Sequence, residues 1–247
     1  MAKKKKSQKN TKDKIREKQA REKARRMKSL TVTTLVVLLL AAGVFYLVQS
    51  ASDGGSDNRV EASVFQYDKQ PVIGNDKAKV KIVEFGDYKC PVCKRFKDEI
   101  FPQLKKDFLD NDKAGFYFIN NQFIGEDSIT AGIAGEAVYR QNKEAFWKYY
   151  QAVYDHQGSE QQTWATPEFL VGLAKKEVPG IDHGKLAKDI QHKTYEENVK
   201  ADKKIGEEAG VSAVPALFIN GKPVELEVIF DYPRLKQMIE DELEKAR

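Results

Sequence analysis

Short apolar stretches divide this chain. Lys79–Phe85, Gly115–Asn120, Ala216–Asn220 and Val224–Glu227 are rich in Val, Ile, Leu and Phe and are bounded by turn-forming residues, so each reads as a β-strand. Asn220-Gly221 separates the last two and predicts a tight turn, which makes them a hairpin. After the first strand, Lys94-Arg95-Phe96-Lys97-Asp98-Glu99-Ile100 has helical character. The stretch between the second and third strands is mostly helical in pattern. Ser128 is placed to cap one helix there, and Thr166-Pro167 to open another. Tyr139, Phe146, Trp147, Tyr149, Tyr150 and Tyr154 recur at helical spacing and read as core rather than as a peptide-binding surface. Asp231–Lys245 reads as a closing helix.

One apolar run is of another kind. Leu30–Val48 holds nineteen residues without a charge, long enough to cross a bilayer as a single helix. Residues 1–29 before it carry ten Lys and four Arg against Asp13, Glu17 and Glu22, a net +11. The whole chain is +5, so the rest is net −6. This asymmetry predicts a cytoplasmic N-terminus and an extracytoplasmic remainder at the cell membrane. A cleaved signal peptide is the rival reading, with small residues available near Val48-Gln49-Ser50. The apolar run and the basic segment are both longer than such a peptide usually has. Nucleic-acid binding is disfavoured, because the basic tail lacks interleaved aromatics; topology and contact with anionic lipid explain it more simply. Residues 49–62, rich in Ser, Gly and Asp, read as a flexible linker. Residues 63–247 are then one folded domain of ample core size, expected to be a monomer, with a helical insertion over about 125–200.

Cys90 and Cys93 are the only cysteines, and they stand in one motif, Cys90-Pro91-Val92-Cys93, where the first strand hands over to a helix. That placement is a thioredoxin-type redox arrangement. It puts Cys90 at a helix N-terminus, where unpaired backbone N–H groups and the helix dipole favour a thiolate. Cys93 follows about one turn later. Half a zinc site would need two more ligands, and His156, His183 and His192 have no finger-like spacing; they read as surface residues. A purely structural disulfide would close too small a loop to stabilise much. The element order, β–α–β, a helical block, then β–β–α, reads as a thioredoxin core carrying a helical insertion.

Two segments carry a family resemblance. Val83-Glu84-Phe85-Gly86-Asp87-Tyr88-Lys89-Cys90-Pro91-Val92-Cys93 and Gly210-Val211-Ser212-Ala213-Val214-Pro215-Ala216-Leu217-Phe218-Ile219-Asn220-Gly221-Lys222 both resemble DsbA-type thiol–disulfide oxidoreductases. Ala145-Phe146-Trp147-Lys148-Tyr149-Tyr150 resembles the insertion helices of that group, and with the basic anchor the chain looks like its membrane-anchored Gram-positive, BdbD-like members. One departure is the dipeptide Pro91-Val92, where the best-known strong oxidant has histidine second; this points to a weaker oxidant.

The resemblance implies roles for single residues. Cys90 is the nucleophile and Cys93 the more buried resolving thiol. Pro91 sits early in the helix, where its missing N–H is harmless. Pro215 is a cis-proline beside the redox pair, and Val214 turns its backbone toward a substrate strand. Pro91 and Val92 contribute to the substrate-facing surface. Glu84, an acid interrupting an apolar strand, is expected to be buried and to relay a proton to Cys93; the alternative is a strand-end acid that reaches solvent. The implied function is an extracytoplasmic, membrane-tethered enzyme that donates its disulfide to exported proteins. It needs no cofactor beyond the Cys90–Cys93 disulfide, and a quinone-linked membrane partner of the DsbB type reoxidises it. A reductant of exported thiols and a non-catalytic chaperone or adaptor are the alternatives. Calcium among the outer carboxylates is left open, although no loop has EF-hand spacing.

Overall fold

The computed structural model describes residues 58–246. The basic tail 1–29, the apolar span 30–48 and most of the linker 49–62 lie outside the described residues. Among the described residues no helix is long and apolar enough to cross a membrane.

Five strands form one sheet: β1 (Val72–Gly74), β2 (Val80–Gly86), β3 (Ala114–Asn120), β4 (Ala216–Ile219) and β5 (Lys222–Val224), in the spatial order β1-β3-β2-β4-β5. β2 and β3 are parallel; every other pairing is antiparallel. β2 is central, so both its faces are buried, and successive residues feed different cores. Val80 and Ile82 enter the larger core, Val83 and Phe85 the smaller one on the opposite face. Glu84 lies in register with Phe118 and Leu217 and shares the face of Val80 and Ile82.

The helices are α1 (Pro91–Glu99), α2 (Phe101–Leu104, continued by a wider turn over Lys105–Leu109), α3 (Glu126–Gln141), α4 (Lys143–Asp155), α5 (Pro167–Glu177), α6 (His183–Gln191), α7 (Glu196–Glu208), α8 (Leu226–Ile229) and α9 (Tyr232–Lys245). Their boundaries follow from capping chemistry. Thr166, Asp182 and Asp231 each accept the backbone N–H three residues on, satisfying a donor that has no partner within the helix. Asn142 separates α3 from α4 in extended conformation and caps α4 through Ala145 N. α7 covers the smaller core through Ile205, together with Phe65. Helices α1 to α6 supply the larger core, joined by Val228, Leu235 and Ile239. The architecture is a thioredoxin fold with a helical insertion between β3 and β4.

The six insertion aromatics are buried, as their spacing predicts. Four elements depart from expectation. β1 is too short for any periodicity to announce it. Val224–Glu227 is not a strand: the turn at Asn220-Gly221, with φ of 48° and 81°, starts β5 at Lys222 and pairing ends at Val224. The chain then turns into α8, burying Val228 and Ile229. Ser128 caps nothing: α3 opens at Glu126, and the buried Ser128 hydroxyl lies against the Asp87 carboxylate and Gln122 Oε1. The last residues of the expected linker are engaged, because Arg59 pairs with Glu242 through two nitrogens and Val60 N donates to Gly221 O at 2.9 Å.

Candidate active site

β2 ends at Gly86, where a Cβ would come within 2.6 Å of the Phe118 ring and 3.2 Å of Tyr154 Oη. Only glycine lets the chain turn there so close to β3 and α4. The next residues, Asp87-Tyr88-Lys89, form a buried loop with Cys90 N donating to Asp87 O at 2.9 Å. The Asp87 carboxylate accepts from Lys89 N, Phe123 N and Ile124 N at 2.8, 2.9 and 3.1 Å. Lys89 Nζ reaches Asp127 Oδ1 at 2.7 Å and Gln162 O at 3.0 Å, while Asp127 Oδ2 accepts from Trp164 N and Ala165 N. Gln157 Nε2 donates to Tyr88 O and Cys90 O, at 2.8 and 3.1 Å. Residues of the insertion thus hold the loop that presents the cysteines.

Cys90 is the N-cap of α1, extended at φ −73° and ψ 118°, with Pro91 at the first helical position. Both cysteines are free thiols. Cys90 is 6% exposed and Cys93 is fully buried. The Cys90 thiol is drawn down to about 7. The largest cause is a hydrogen bond from the Cys93 thiol; burial opposes it, and the N–H groups of Cys93 and Val92 assist. The helix terminus therefore acts as expected, but the partner thiol outweighs it. Burial pushes Cys93 well above the ordinary thiol range, and its hydrogen bond to Cys90 adds to this. The pair is polarised into one ready thiolate and one guarded thiol.

Val214–Pro215 is a cis peptide bond, and the Cys90 sulfur lies 3.5 Å from Val214 O, close enough for the thiol to donate. Pro215 is buried, while Pro91 and Val92 are exposed. Glu84 is completely buried, which excludes a strand-end acid reaching solvent. Tyr150 Oη donates to Glu84 Oε2 at 2.7 Å, and Glu84 Oε1 has no hydrogen-bond partner. Burial raises the Glu84 carboxyl to about 8, with the Tyr150 bond pulling down and the charge of Cys90 pushing up.

The structure thus gathers Cys90, Cys93, Val214, Pro215 and Glu84 around the end of β2. It adds Tyr150, Asp87, Lys89, Asp127 and Gln157, which sequence reasoning missed. Tyr150 was visible only as one more aromatic on a helical face. The sole available clue was general: an acid buried in a strand requires a donor. Among the described residues no group of three or more His, Cys, Asp or Glu side chains could hold a metal ion, so the calcium that the sequence left open among the outer carboxylates finds no site there. The buried carboxylates Glu136 and Asp202 are two only, held by Asn120 Nδ2 and Gln70 Nε2. Burial pushes both above the usual carboxylate range, and at Glu136 the charge of Asp202 adds to it. His156 and His192 are exposed; His183 is half-buried, its Nε2 3.1 Å from Ala174 O and Val178 O.

Comparison with known proteins agrees with this geometry. A family profile described as thioredoxin matches residues 66–241. The chain is 34% identical over 210 residues to the probable disulfide bond formation protein D of Bacillus anthracis, covering 85% of this chain and 92% of that one. It is 36% identical over 174 residues to disulfide bond formation protein D of Bacillus subtilis, covering 70% and 77%. The crystal structure of oxidised BdbD from Bacillus subtilis superposes with a TM-score of 0.68 at 36% identity, covering 72% of this chain and 94% of that one.

Proposed function

This chain belongs to the thioredoxin family and, within it, to the disulfide bond formation protein D group, thiol–disulfide oxidoreductases that catalyse disulfide formation, and we propose how its residues divide that work and where it does so. The observation that carries the division of labour is the polarised pair: a Cys90 thiol drawn down to about 7 beside a Cys93 thiol pushed up. A substrate thiolate attacks Cys90 Sγ of the oxidised pair, and the S–S bond breaks with its electrons on Cys93. Cys93 takes a proton from the Glu84 carboxyl and stays buried as a thiol. A second substrate thiolate attacks the substrate sulfur of the mixed disulfide, forming the substrate's disulfide. Cys90 departs as a thiolate, held by the Cys93 S–H and the N–H groups of Val92 and Cys93. The substrate loses two electrons and the enzyme gains them. The Val214 backbone, beside the sulfur, pairs with the extended substrate, and the exposed Pro91 and Val92 face it.

The apolar span 30–48 and the basic tail before it support a single-pass anchor, with the N-terminus in the cytoplasm and residues 63–247 outside. Exported proteins carrying free thiols are then the substrates. Because each turnover leaves the enzyme reduced, a membrane oxidoreductase that passes electrons to quinone completes the cycle.

A Cys90→Ser and a Cys93→Ala strain test the roles. Cys93→Ala is expected to accumulate mixed disulfides with exported proteins through Cys90, and Cys90→Ser to form none and to lose exported disulfides. Complexes trapped through Cys93 in the Cys90→Ser strain would reverse the assignment.

A further inference from the structure

Among the described residues, Glu84 is the one carboxylate on the buried sheet face beneath the redox pair, and its two oxygens are not equivalent. Oε2 accepts the Tyr150 hydroxyl at 2.7 Å, whereas Oε1 is buried with no hydrogen-bond partner. Tyr150 is itself immobilised. Its ring is wedged among those of Phe101, Phe118, Trp147 and Tyr154, at centroid distances of 5.7, 5.2, 5.4 and 5.1 Å, and the residue is fully buried. A hydroxyl so held has one hydrogen and one acceptor. The carboxyl proton of neutral Glu84 therefore resides on the other oxygen.

We propose that Tyr150, from the helical insertion, is a positioning residue for disulfide exchange: by occupying Glu84 Oε2 it leaves Oε1 as the single oxygen that trades a proton with Cys93. This rests on the Glu84 role given above and extends it. The proton balance is closed. When the Cys90–Cys93 bond breaks, the proton leaves Oε1 for Cys93 Sγ, and the Tyr150 hydrogen bond stabilises the carboxylate that remains. On reoxidation the proton returns to Oε1 as Cys93 attacks. Without the hydroxyl, the buried carboxylate would lack its one side-chain donor, a costly state in a low-dielectric core.

The groups facing Glu84 are few. α4 contributes Tyr150 and Tyr154, the loop after β2 contributes Tyr88, and α1 with its cap contributes Cys93 and Cys90. The neighbouring strands present Phe118 and Leu217, which do not titrate. Tyr88, Tyr150 and Tyr154 are pushed far above the usual phenol range by burial, so they stay protonated where Glu84 and the cysteines titrate. Of these phenols, only Tyr150 donates to Glu84; Tyr154 Oη donates to Asp87 O instead, and Tyr88 Oη has no hydrogen-bond partner.

The test uses the full-length oxidised chain and follows its reduction by a small thiol at constant thiolate concentration from pH 5 to pH 10. Tyr150→Phe keeps the ring and removes only the hydroxyl, so the aromatic packing is preserved. Its rate profile is expected to keep the Glu84 inflection but move it up by about one to two pH units, the scale of one hydrogen bond to a charged group. Glu84→Gln is expected to abolish the inflection, and Tyr150→Phe added to Glu84→Gln to change the profile no further. Carbon-13 titration of the Glu84 carboxyl is expected to show the same upward shift in Tyr150→Phe, a readout that general loosening of the core would not reproduce. If Tyr150→Phe superposes on the parent while Glu84→Gln loses the inflection, the Tyr150 role is wrong and the Glu84 role stands. If Glu84→Gln keeps the inflection, both fall.

Discussion

At Cys90 burial and donation oppose each other, and donation prevails. Burial disfavours the thiolate, but the Cys93 thiol and two backbone N–H groups stabilise it, bringing the thiol from 9.0 to about 7. A lowered folded-state value adds stability to the reduced protein above the unfolded value and loses it as pH falls through about 7. Alkylation of the reduced protein is therefore expected at Cys90 with a midpoint near pH 7, with Cys93 inert over the same range; mass spectrometry of quenched samples distinguishes the two, and faster labelling of Cys93 would invert their roles. Glu84 runs the other way. Its carboxyl is raised from 4.5 to about 8, so its penalty is absent below pH 4.5 and grows as pH rises toward 8. Glu84→Gln is thus expected to stabilise the fold by on the order of 3 kcal/mol near pH 7 to 8 and hardly at all near pH 4, as denaturant titrations at the two pH values would report. Both cysteines and Glu84 are legible in the sequence because they lie within ten residues on one strand-to-helix run. Tyr150 and Gln157 are not. Their partners stand 66 and 67 positions away, and nothing local separates Tyr150 from Tyr149, whose hydroxyl donates to Ala131 O.

Elements show where pattern reading succeeds and where it stops. β2, β3 and β4 are legible because buried central strands are nearly continuous apolar runs. β1 and α8 are not, because three or four residues hold no period and tertiary contact alone fixes them. The insertion's helices were legible as a block, but its grip on the active-site loop was not, since it runs through Lys89 and Asp127, ordinary surface residues by type. Both are buried here, at 4% and 7% side-chain exposure. Removing one partner of a buried pair leaves the other uncompensated, at a cost of about 3–5 kcal/mol. Asp127→Ala is expected to lower stability by about that amount and to free the segment from Gln157 to Ala165, which limited proteolysis would detect as new cleavage there; an unchanged melting curve would contradict it. The β4–β5 turn offers a second test. At Gly221, φ is +81° and a Cβ would meet Val60 O at 2.2 Å, so Gly221→Ala is expected to destabilise the fold by more than about 1 kcal/mol and to speed amide exchange at Val60.

On the scale of the whole molecule, the proposed anchor places a redox enzyme at a membrane surface facing exported chains. Protease added to intact cells is expected to release a fragment beginning after Val48 and to leave the basic tail protected; spontaneous release of the mature protein into the medium would point to a cleaved signal instead. A thioredoxin core with a helical insertion was legible as an order of elements. The direction of electron flow was not, because it depends on a balance of small energies around two sulfur atoms. The donors converging on Cys90 stabilise the reduced state, which makes the disulfide the less favourable form. Two-electron redox arithmetic converts each 1.4 kcal/mol of such stabilisation into about 30 mV. With Val92 where the strongest oxidants carry histidine, the potential is expected about 60–150 mV above the roughly −270 mV of thioredoxin. Equilibrating the full-length protein with defined glutathione mixtures and counting free Cys90 by alkylation measures this directly. A value of about −210 to −120 mV would agree, and one at or below about −270 mV would make the protein a reductant and contradict the disulfide-donor function.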